Sequence, residues 1–399
     1  MSLNILYTTL TLLLTFIPLL SFNGYFNKGI AAVIQLLIIA IIVINKKKFC
    51  IEKIKPISIY FKVTIVQILV GYIISDNYWD YKRLLLGTIS CSIPVFAWIG
   101  YNPNLLLKIL RIWYKYVPVL TILFFGWFFG IQQNYLSPLL LLFCFFPLFP
   151  KKKRVLIFII GILYCIGNIE TRSQIAKGGA ALIIGFLCMN KNLIKPYLIK
   201  VYHLLSYSTI IIIFGLLLSN LFSYYKGNIV AEEAKTGDSH HNSDSRSLIY
   251  IDVIDSSISN NYYLLGRTPS RGNDVVYSQA LFFWAYDDVE IDKMFYRDQR
   301  HKNEVVLLNI FTWQGLIGLF LFSLIYFRAT YLAVYKSKNT YISLLGCYIA
   351  FRWVCGWIED INDIDILNFS LWSMIGMCFS HKFRAMNNNE FKEWITKII

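Results

Sequence analysis

Apolar runs long enough to cross a lipid bilayer follow one another through almost all of this 399-residue sequence, and no other feature restricts its fold so tightly. A hydrocarbon core of roughly 30 Å takes about 17–20 helical residues to cross. Runs near that length occupy 3–22, 29–45, 57–74, 84–100, 117–132, 136–149, 155–168, 175–189, 204–221, 304–327, 341–357 and 364–380. In hydrocarbon each peptide group must find its hydrogen bond within the chain, which leaves such runs the α-helix. Composition agrees: 57% of the residues are hydrophobic and only 15% charged, against about 25% charged in a soluble domain. A soluble globular protein is thereby excluded, and with no heptad or short repeat so are a coiled coil, collagen and a disordered chain. The expected fold class is an all-α polytopic membrane protein of about twelve transmembrane helices. The first run is expected to stay as a span, because it lacks a basic start and is followed by Phe22-Asn23-Gly24 instead of a small-x-small cleavage site.

Lys and Arg in the connections set the orientation. With the N-terminus inside, the even-numbered connections and the tail hold 22 cations, among them Lys46, Lys47, Lys48, Lys151, Lys152, Lys153, Arg154 and Lys336. The short odd-numbered connections hold five: Lys28, Lys82, Arg83, Arg172 and Lys177. That bias predicts an even number of spans, both termini in the cytoplasm and the long connection outside. The chain then divides into spans 1 to 9 over 1–221, an outer loop carrying the functional residues over 222–303, spans 10 to 12 over 304–380 and a cytoplasmic tail over 381–399. A net charge of +15 would suggest nucleic acid in a soluble chain; here it reports orientation, and no nucleic-acid partner is expected. The stretch 103–115, with Lys108, Arg111 and Lys115 among leucines, is expected to lie on the inner surface against anionic lipid. All eight cysteines lie in or beside spans and read as small apolar side chains.

The outer loop is the one break in this pattern, with twelve acidic and nine basic residues and three of the five histidines. Its first third, Lys226 to Ser243, reads as irregular. His240-His241 with Asp238 and Asp244, and the acids Asp287, Asp288, Glu290 and Asp292, approach metal-ligand sets only loosely, so no metal is expected. From Ser247 to Ser259 the periodicity predicts an amphipathic helix, with Asp252, Asp255, Ser256 and Ser259 on a polar face and Leu248, Ile251, Ile254 and Ile258 on an apolar one. Asp244 or Ser245 is the expected N-cap. Arg246 then falls in the first turn, where a cation opposes the helix dipole unless an anion sits there, and a phosphate is the natural candidate. The turn Leu265-Gly266-Arg267-Thr268-Pro269-Ser270-Arg271-Gly272 adds two arginines. Arg352, inside the eleventh span, is a functional candidate by position alone, with Glu359 and Asp360 as candidate partners.

The loop ends in His301-Lys302-Asn303-Glu304-Val305-Val306-Leu307-Leu308, which runs into Gln314-Gly315-Leu316-Ile317-Gly318. These segments resemble the H-N-x-x-L … G-x-x-G signature that closes the large periplasmic loop in the O-antigen ligase and O-antigen polymerase family of lipid-linked glycan transferases, with Lys302 inserted between His and Asn. Members are similar also in having about twelve spans, with the large loop before the last three. An arginine after a short periplasmic connection matches Thr171-Arg172-Ser173, with Lys177 as the other candidate for that cation. A second arginine opening the loop helix matches Ser245-Arg246, and a glycine turn further on matches Leu265-Gly266.

The resemblance implies a glycosyltransferase of the bacterial inner membrane, acting on its periplasmic face without metal or cofactor. It would move an oligosaccharide or polysaccharide from undecaprenyl diphosphate to a sugar hydroxyl of another lipid-linked repeat unit, as an O-antigen or surface-polysaccharide polymerase. A ligase transferring the glycan to lipid A-core, or a protein O-oligosaccharyltransferase, is the alternative within the family. The implied partners are the undecaprenyl-diphosphate-linked oligosaccharide, the acceptor glycan, the bilayer and a chain-length regulator. The chemistry suits the residues. A departing diphosphate needs fixed cations, which Arg172 and Arg246 supply, and a sugar hydroxyl needs a base, for which His301 is suited near neutral pH. Lys177, Arg267, Arg271, Asn303 and Arg352 are the expected substrate-binding residues. A flippase or exporter of lipid-linked glycans is the reading from a different class; it predicts charges near the midplane in repeated, broken helices. A scaffold in a polysaccharide-assembly complex would need no histidine and arginine constellation.

Overall fold

Where the described residues fall in the apolar runs, the chain is mostly helical. The computed structural model describes residues 3–22, 28–50, 52, 54–124, 136–166, 172–190, 192–225, 245–278, 298–358 and 366–399. The first half contributes α1 (Leu3–Phe22), α2 (Lys28–Ile44), α3 (Lys46–Phe49), α4 (Lys55–Ile73), α5 (Tyr78–Gly100), α6 (Pro103–Phe124), α7 (Leu140–Cys144), α8 (Lys151–Ile166), α9 (Arg172–Met189) and α10 (Pro196–Tyr225). The long connection holds α11 (Ser245–Ser259) and two short strands, β1 (Asn273–Asp274) and β2 (Gln299–Arg300). They pair antiparallel with Asn273 opposite Arg300 and Asp274 opposite Gln299. Then come α12 (Val306–Tyr335), α13 (Thr340–Cys355), α14 (Ile366–Phe379), α15 (His381–Ala385) and α16 (Asn388–Thr396). Among the described residues α4, α5, α10 and α12 are long and apolar enough to cross a membrane, and shorter apolar stretches lie in α1, α2, α9 and α13. By helix length and composition this is an all-α membrane protein.

Polar caps mark where helices begin. The Asn77 side chain accepts from the amides of Trp79 and Asp80 (3.0 and 3.2 Å) to open α5, Asn339 does the same for α13, and Asn387 with Glu390 forms a capping box on α16. Between helices, small residues allow close approach, which replaces the missing hydrophobic drive in lipid. A Cβ on Gly100 would lie 2.0 Å from the Ser373 carbonyl, and one on Gly376 2.1 Å from that of Ala97, so α5 and α14 cross backbone to backbone.

Both ends of the chain lie at one end of the bundle. Asn102 donates to the Tyr7 hydroxyl (2.9 Å), Arg111 Nε to the Lys397 carbonyl (2.6 Å) and Trp394 Nε1 to that of Pro103 (3.3 Å). The opposite end gathers the end of α4, the starts of α5, α9 and α12, the end of α13 and the described part of the long connection. There the Leu307 amide donates to the Gly356 carbonyl (3.3 Å), and the Tyr250 hydroxyl of α11 donates to that of Trp357.

Three expectations are corrected. The run 136–149 is no regular span: Pro138 and Pro147 open 3-10 turns at Ser137–Leu139 and Phe146–Leu148, leaving the five residues of α7 between them, all buried. The stretch 103–115 does not lie separately on a surface, since it is the first half of α6 and buries Leu105, Leu106, Ile109, Leu110 and Trp113. In α11 the buried apolar face is Ile249, Tyr250 and Val253, packed on Leu217, Val305 and Leu308, while Ile254 and Ile258 point outward. The reason is polar. Asp252 turns inward to accept from the amides of Val276, Tyr277 and Ser278 (2.9, 2.7 and 3.0 Å), and these bonds fix the rotation of the helix. Asp244, His240, His241, Asp287, Asp288, Glu290, Asp292, Glu359 and Asp360 lie outside the described residues.

Candidate functional site

The site is built on a break in α12. At Gly315 the helix leaves its regular path with φ +63°, and opposite it Gly266 in the loop has φ +77°. Neither conformation suits a residue with a side chain. The two glycines also face each other's backbones: a Cβ on Gly315 would lie 2.2 Å from the Leu264 carbonyl, and one on Gly266 2.4 Å from the Gln314 amide nitrogen. The peptide groups freed by the break are taken up by the loop. Arg267 and Thr268 amides donate to the Thr312 and Trp313 carbonyls (2.8 and 3.0 Å), and Leu316 and Ile317 amides donate to Tyr263 and Leu264 (2.8 and 3.3 Å). Irregular backbone at membrane depth is tolerated only when satisfied by protein in this way. Gln67 of α4 donates to the Leu265 carbonyl (2.6 Å) and Gln314 to the Thr64 hydroxyl (2.9 Å), which ties the clasp to α4.

His301 sits beside this clasp. Its Nε2 lies 2.8 Å from the Pro269 carbonyl, an atom that can only accept, so the ring donates from Nε2 and keeps its lone pair on Nδ1. Pro269 reaches the ring because it packs on α5 at Gly87, where a Cβ would come within 2.6 Å of the Pro269 carbonyl. The Trp313 ring lies over the imidazole at 5.5 Å between centroids, and its Nε1 donates to the His301 carbonyl (3.2 Å). Burial, and then the charges of Arg83 and Lys302, push the His301 pKa down to about 3, against hydrogen bonds with the Pro269 and Arg83 backbones that favour protonation. The imidazole is neutral, and burial is the main reason, ahead of any field from a helix start.

Arg83 is the residue that the sequence did not single out. It belongs to α5, is buried, and donates from Nη2 to the Gln299 carbonyl (3.3 Å) of β2, two residues before His301. Its signal was present in the scarcity of cations on that side, where it stood as one of five. Nothing local distinguished it from a flanking charge.

The other expected residues separate into two groups. Arg267 donates to Asp274 (2.7 Å) and to the Gly272 carbonyl (3.1 Å) and lies over the Tyr262 ring. Burial alone would raise the Asp274 carboxyl, but Arg267, Asn260 and Ser256 hold it below its ordinary value. Arg271 pairs with Asp80 (3.4 Å) and Asp76 (3.5 Å) and donates to the Ile74 carbonyl (3.0 Å). Asn303 crosses the turn into α12: its amide donates to Asn309 Oδ1 (2.6 Å) and its Nδ2 to Asn273 Oδ1 (2.9 Å). These three fasten the loop to α4, α5 and α12.

Lys177 and Arg352 form the second group. Both are buried, at 1% and 3% exposure. Tyr348 links them, donating to the Lys177 carbonyl (3.3 Å) and accepting from Arg352 Nη1 (3.5 Å), so α9 and α13 meet here. Among the described residues nothing hydrogen-bonds to Lys177 Nζ. Arg246 is half-buried in the first turn of α11, one turn before Tyr250, and Arg172 is the first residue of α9, its side chain outside the described part. Among the described residues no three His, Cys, Asp or Glu side chains converge as a metal site would need.

Comparison with family models, with curated proteins and with solved structures finds no match to this chain.

Proposed function

We propose that the chain is a glycosyltransferase of the bacterial inner membrane that extends a polyprenyl-diphosphate-linked glycan on the outer face, with His301 as general base. The observation that carries this reading is the neutral His301, held by the docked loop beside Arg83 and Lys302 with Nδ1 free of the Pro269 bond. In the reaction the acceptor hydroxyl oxygen bonds to the anomeric carbon of the donor sugar as the bond from that carbon to the diphosphate oxygen breaks. The hydroxyl proton passes to Nδ1, and the electron pair leaves with undecaprenyl diphosphate. Arg172 and Arg246 meet the charge that develops there.

A ring with a pKa near 3 is a poor base at neutral pH, since general bases work best with a pKa close to the working pH. An incoming diphosphate works against part of this. By offsetting Arg83 and Lys302 it makes imidazolium cheaper and raises the pKa by their share, while the larger effect of burial stays. Twelve traverses with both termini in the cytoplasm complete the reading. The Lys and Arg distribution and the placement of both chain ends at one end of the bundle support it.

Reconstitution in liposomes tests the function directly. Given undecaprenyl-diphosphate oligosaccharide alone, the chain should elongate it, and His301→Ala should not. Elongation only when lipid A-core is added identifies a ligase, whereas movement of the intact donor across the bilayer without elongation identifies a flippase and overturns the proposal.

A further inference from the structure

The turn from Tyr262 to Gly266 turns its carbonyls inward and its side chains outward. Four consecutive carbonyls are each met by protein: Tyr262 accepts from the Gly266 amide (2.7 Å), Tyr263 from Leu316 (2.8 Å), Leu264 from Ile317 (3.3 Å) and Leu265 from Gln67 of α4 (2.6 Å). Tyr263, Leu264 and Leu265, by contrast, are 42%, 51% and 62% exposed. No charged residue lies between Ser259 and Gly266. A turn in water can leave carbonyls to solvent, and three adjacent large apolar side chains there are unfavourable. In hydrocarbon the carbonyls must be bonded and the side chains are at home.

Depth can be read along α4. Its 19 residues rise about 28 Å, close to the roughly 30 Å of a hydrocarbon core, so its ends fall near the two interfaces. Gln67, which holds Leu265, lies about 9 Å down the helix from its end at Ile73, and Thr64, which accepts from Gln314 beside the break in α12, about 14 Å down. Val66, Leu69, Val70 and Ile73 of α4 are exposed at these levels, as are Leu316, Ile317 and Phe320 of α12 past its break. The exposed side of the turn thus continues the apolar outer faces of two helices of bilayer length.

We infer that the turn 262–266 is a re-entrant anchor, with Tyr263, Leu264 and Leu265 inserted among the acyl chains of the leaflet nearest the long connection. Acyl chains are the occupant because the neighbouring faces of α4 and α12, at the same depth, already require them. The anchor sets the depth of His301. Thr268 follows the turn and lies against α4, where a Cβ on Gly71 would be 3.2 Å from its hydroxyl, and Pro269 supplies the carbonyl that meets the imidazole. The loop cannot lift away without drawing three apolar side chains into water. This goes beyond the transferase reading and holds whether or not a glycan is moved.

An environment-sensitive fluorescent amino acid placed at Leu265, in the full chain in lipid nanodiscs, reads the surroundings of the turn; the same group at exposed Asn260 is the reference. At 265 the emission should shift to the blue and be quenched by nitroxides on the acyl chains but not by aqueous iodide, with the order reversed at 260. Iodide quenching at 265 equal to that at 260 would place the turn in water, and protection from both quenchers would place it under protein, such as a second copy of the chain; either overturns the anchor. Tryptic cleavage after Arg267 gives a second reading with no probe attached. Leu264→Ser combined with Leu265→Ser removes the transfer of two half-exposed leucines into lipid and should speed that cleavage by about tenfold or more. An unchanged rate, as expected for leucines already in water, would overturn the anchor as well.

Discussion

Two groups of cations share one end of the bundle, the half-buried Arg267 and Arg271 on the loop side and the buried Lys177 and Arg352 on the other, and they differ in how their charge is met. On the loop side Arg267 and Arg271 are met by Asp274, Asp76 and Asp80, and their guanidinium groups serve as fasteners. On the α9 and α13 side Lys177 reaches no acceptor among the described residues. A cation matched by a carboxylate has done its electrostatic work at folding, and a substrate would have to compete with that partner. A cation left unmatched keeps its field for something that arrives later. Position near a suspected site is therefore a weaker guide than the presence or absence of a neutralising acid.

The largest expected effect falls on the base. His301→Ala should lower elongation by roughly 10²- to 10⁴-fold in reconstituted liposomes while the loop stays docked. Transfer within a few-fold of wild type would remove chemistry from the loop side and leave that side purely structural. Next comes the clasp. Gly315→Val forces a side chain into a positive-φ backbone that already touches Leu264, which should cost on the order of 3 kcal/mol or more and open the loop to protease in intact membranes.

The comparison is sharpest in a matched pair. Arg271→Met removes the guanidinium paired with Asp80, which is fully buried, and should destabilise the protein by about 1–2 kcal/mol, whereas Lys177→Met should stabilise it. Thermal unfolding of the two variants with the same sign of change would abolish the distinction drawn above. The smallest effect is a pH slope. The His301 pKa of about 3 lies below the roughly 6.5 of an unfolded chain, so the unfolded chain takes up the proton first. Stability from this group is complete above about pH 6.5 and declines as pH falls from there, by less than about 1.4 kcal/mol per unit. Asp274, whose pKa is also depressed, loses its contribution only at lower pH, in the carboxylate range. Unfolding measured between about pH 6 and 5 should show the slope in wild type and a flatter one in His301→Gln.

The helical, membrane-bound character of the chain was legible because hydrophobic length is written into consecutive residues. The loop helix was legible for the same reason, yet its rotation was misread. Asp252 is a polar residue that turns inward because amides at 276–278 need an acceptor, and that demand is not visible in a helical wheel. The interruption at 136–149 was signalled by Pro138 and Pro147, whose effect the surrounding apolar residues concealed. Arg83 could not be distinguished because its partner at Gln299 is more than two hundred positions away. The fastening role of Arg271 was hidden similarly, since its carboxylates, Asp76 and Asp80, come from the α4 to α5 connection and the first turn of α5. Gly266 and Gly315 were each visible as glycines, but that they oppose one another is a property of the fold alone.

The clasp between those glycines also bears on how the chain is put together. A helix interrupted at Gly315 would expose bare peptide groups if it entered lipid alone, and the residues that cover them, Tyr263 to Thr268, precede it in the chain. The covering segment is thus already synthesised when α12 emerges. Insertion can proceed in the order of translation, and a protein circularly rearranged to place 306–399 first would have to insert an interrupted helix before its cover exists.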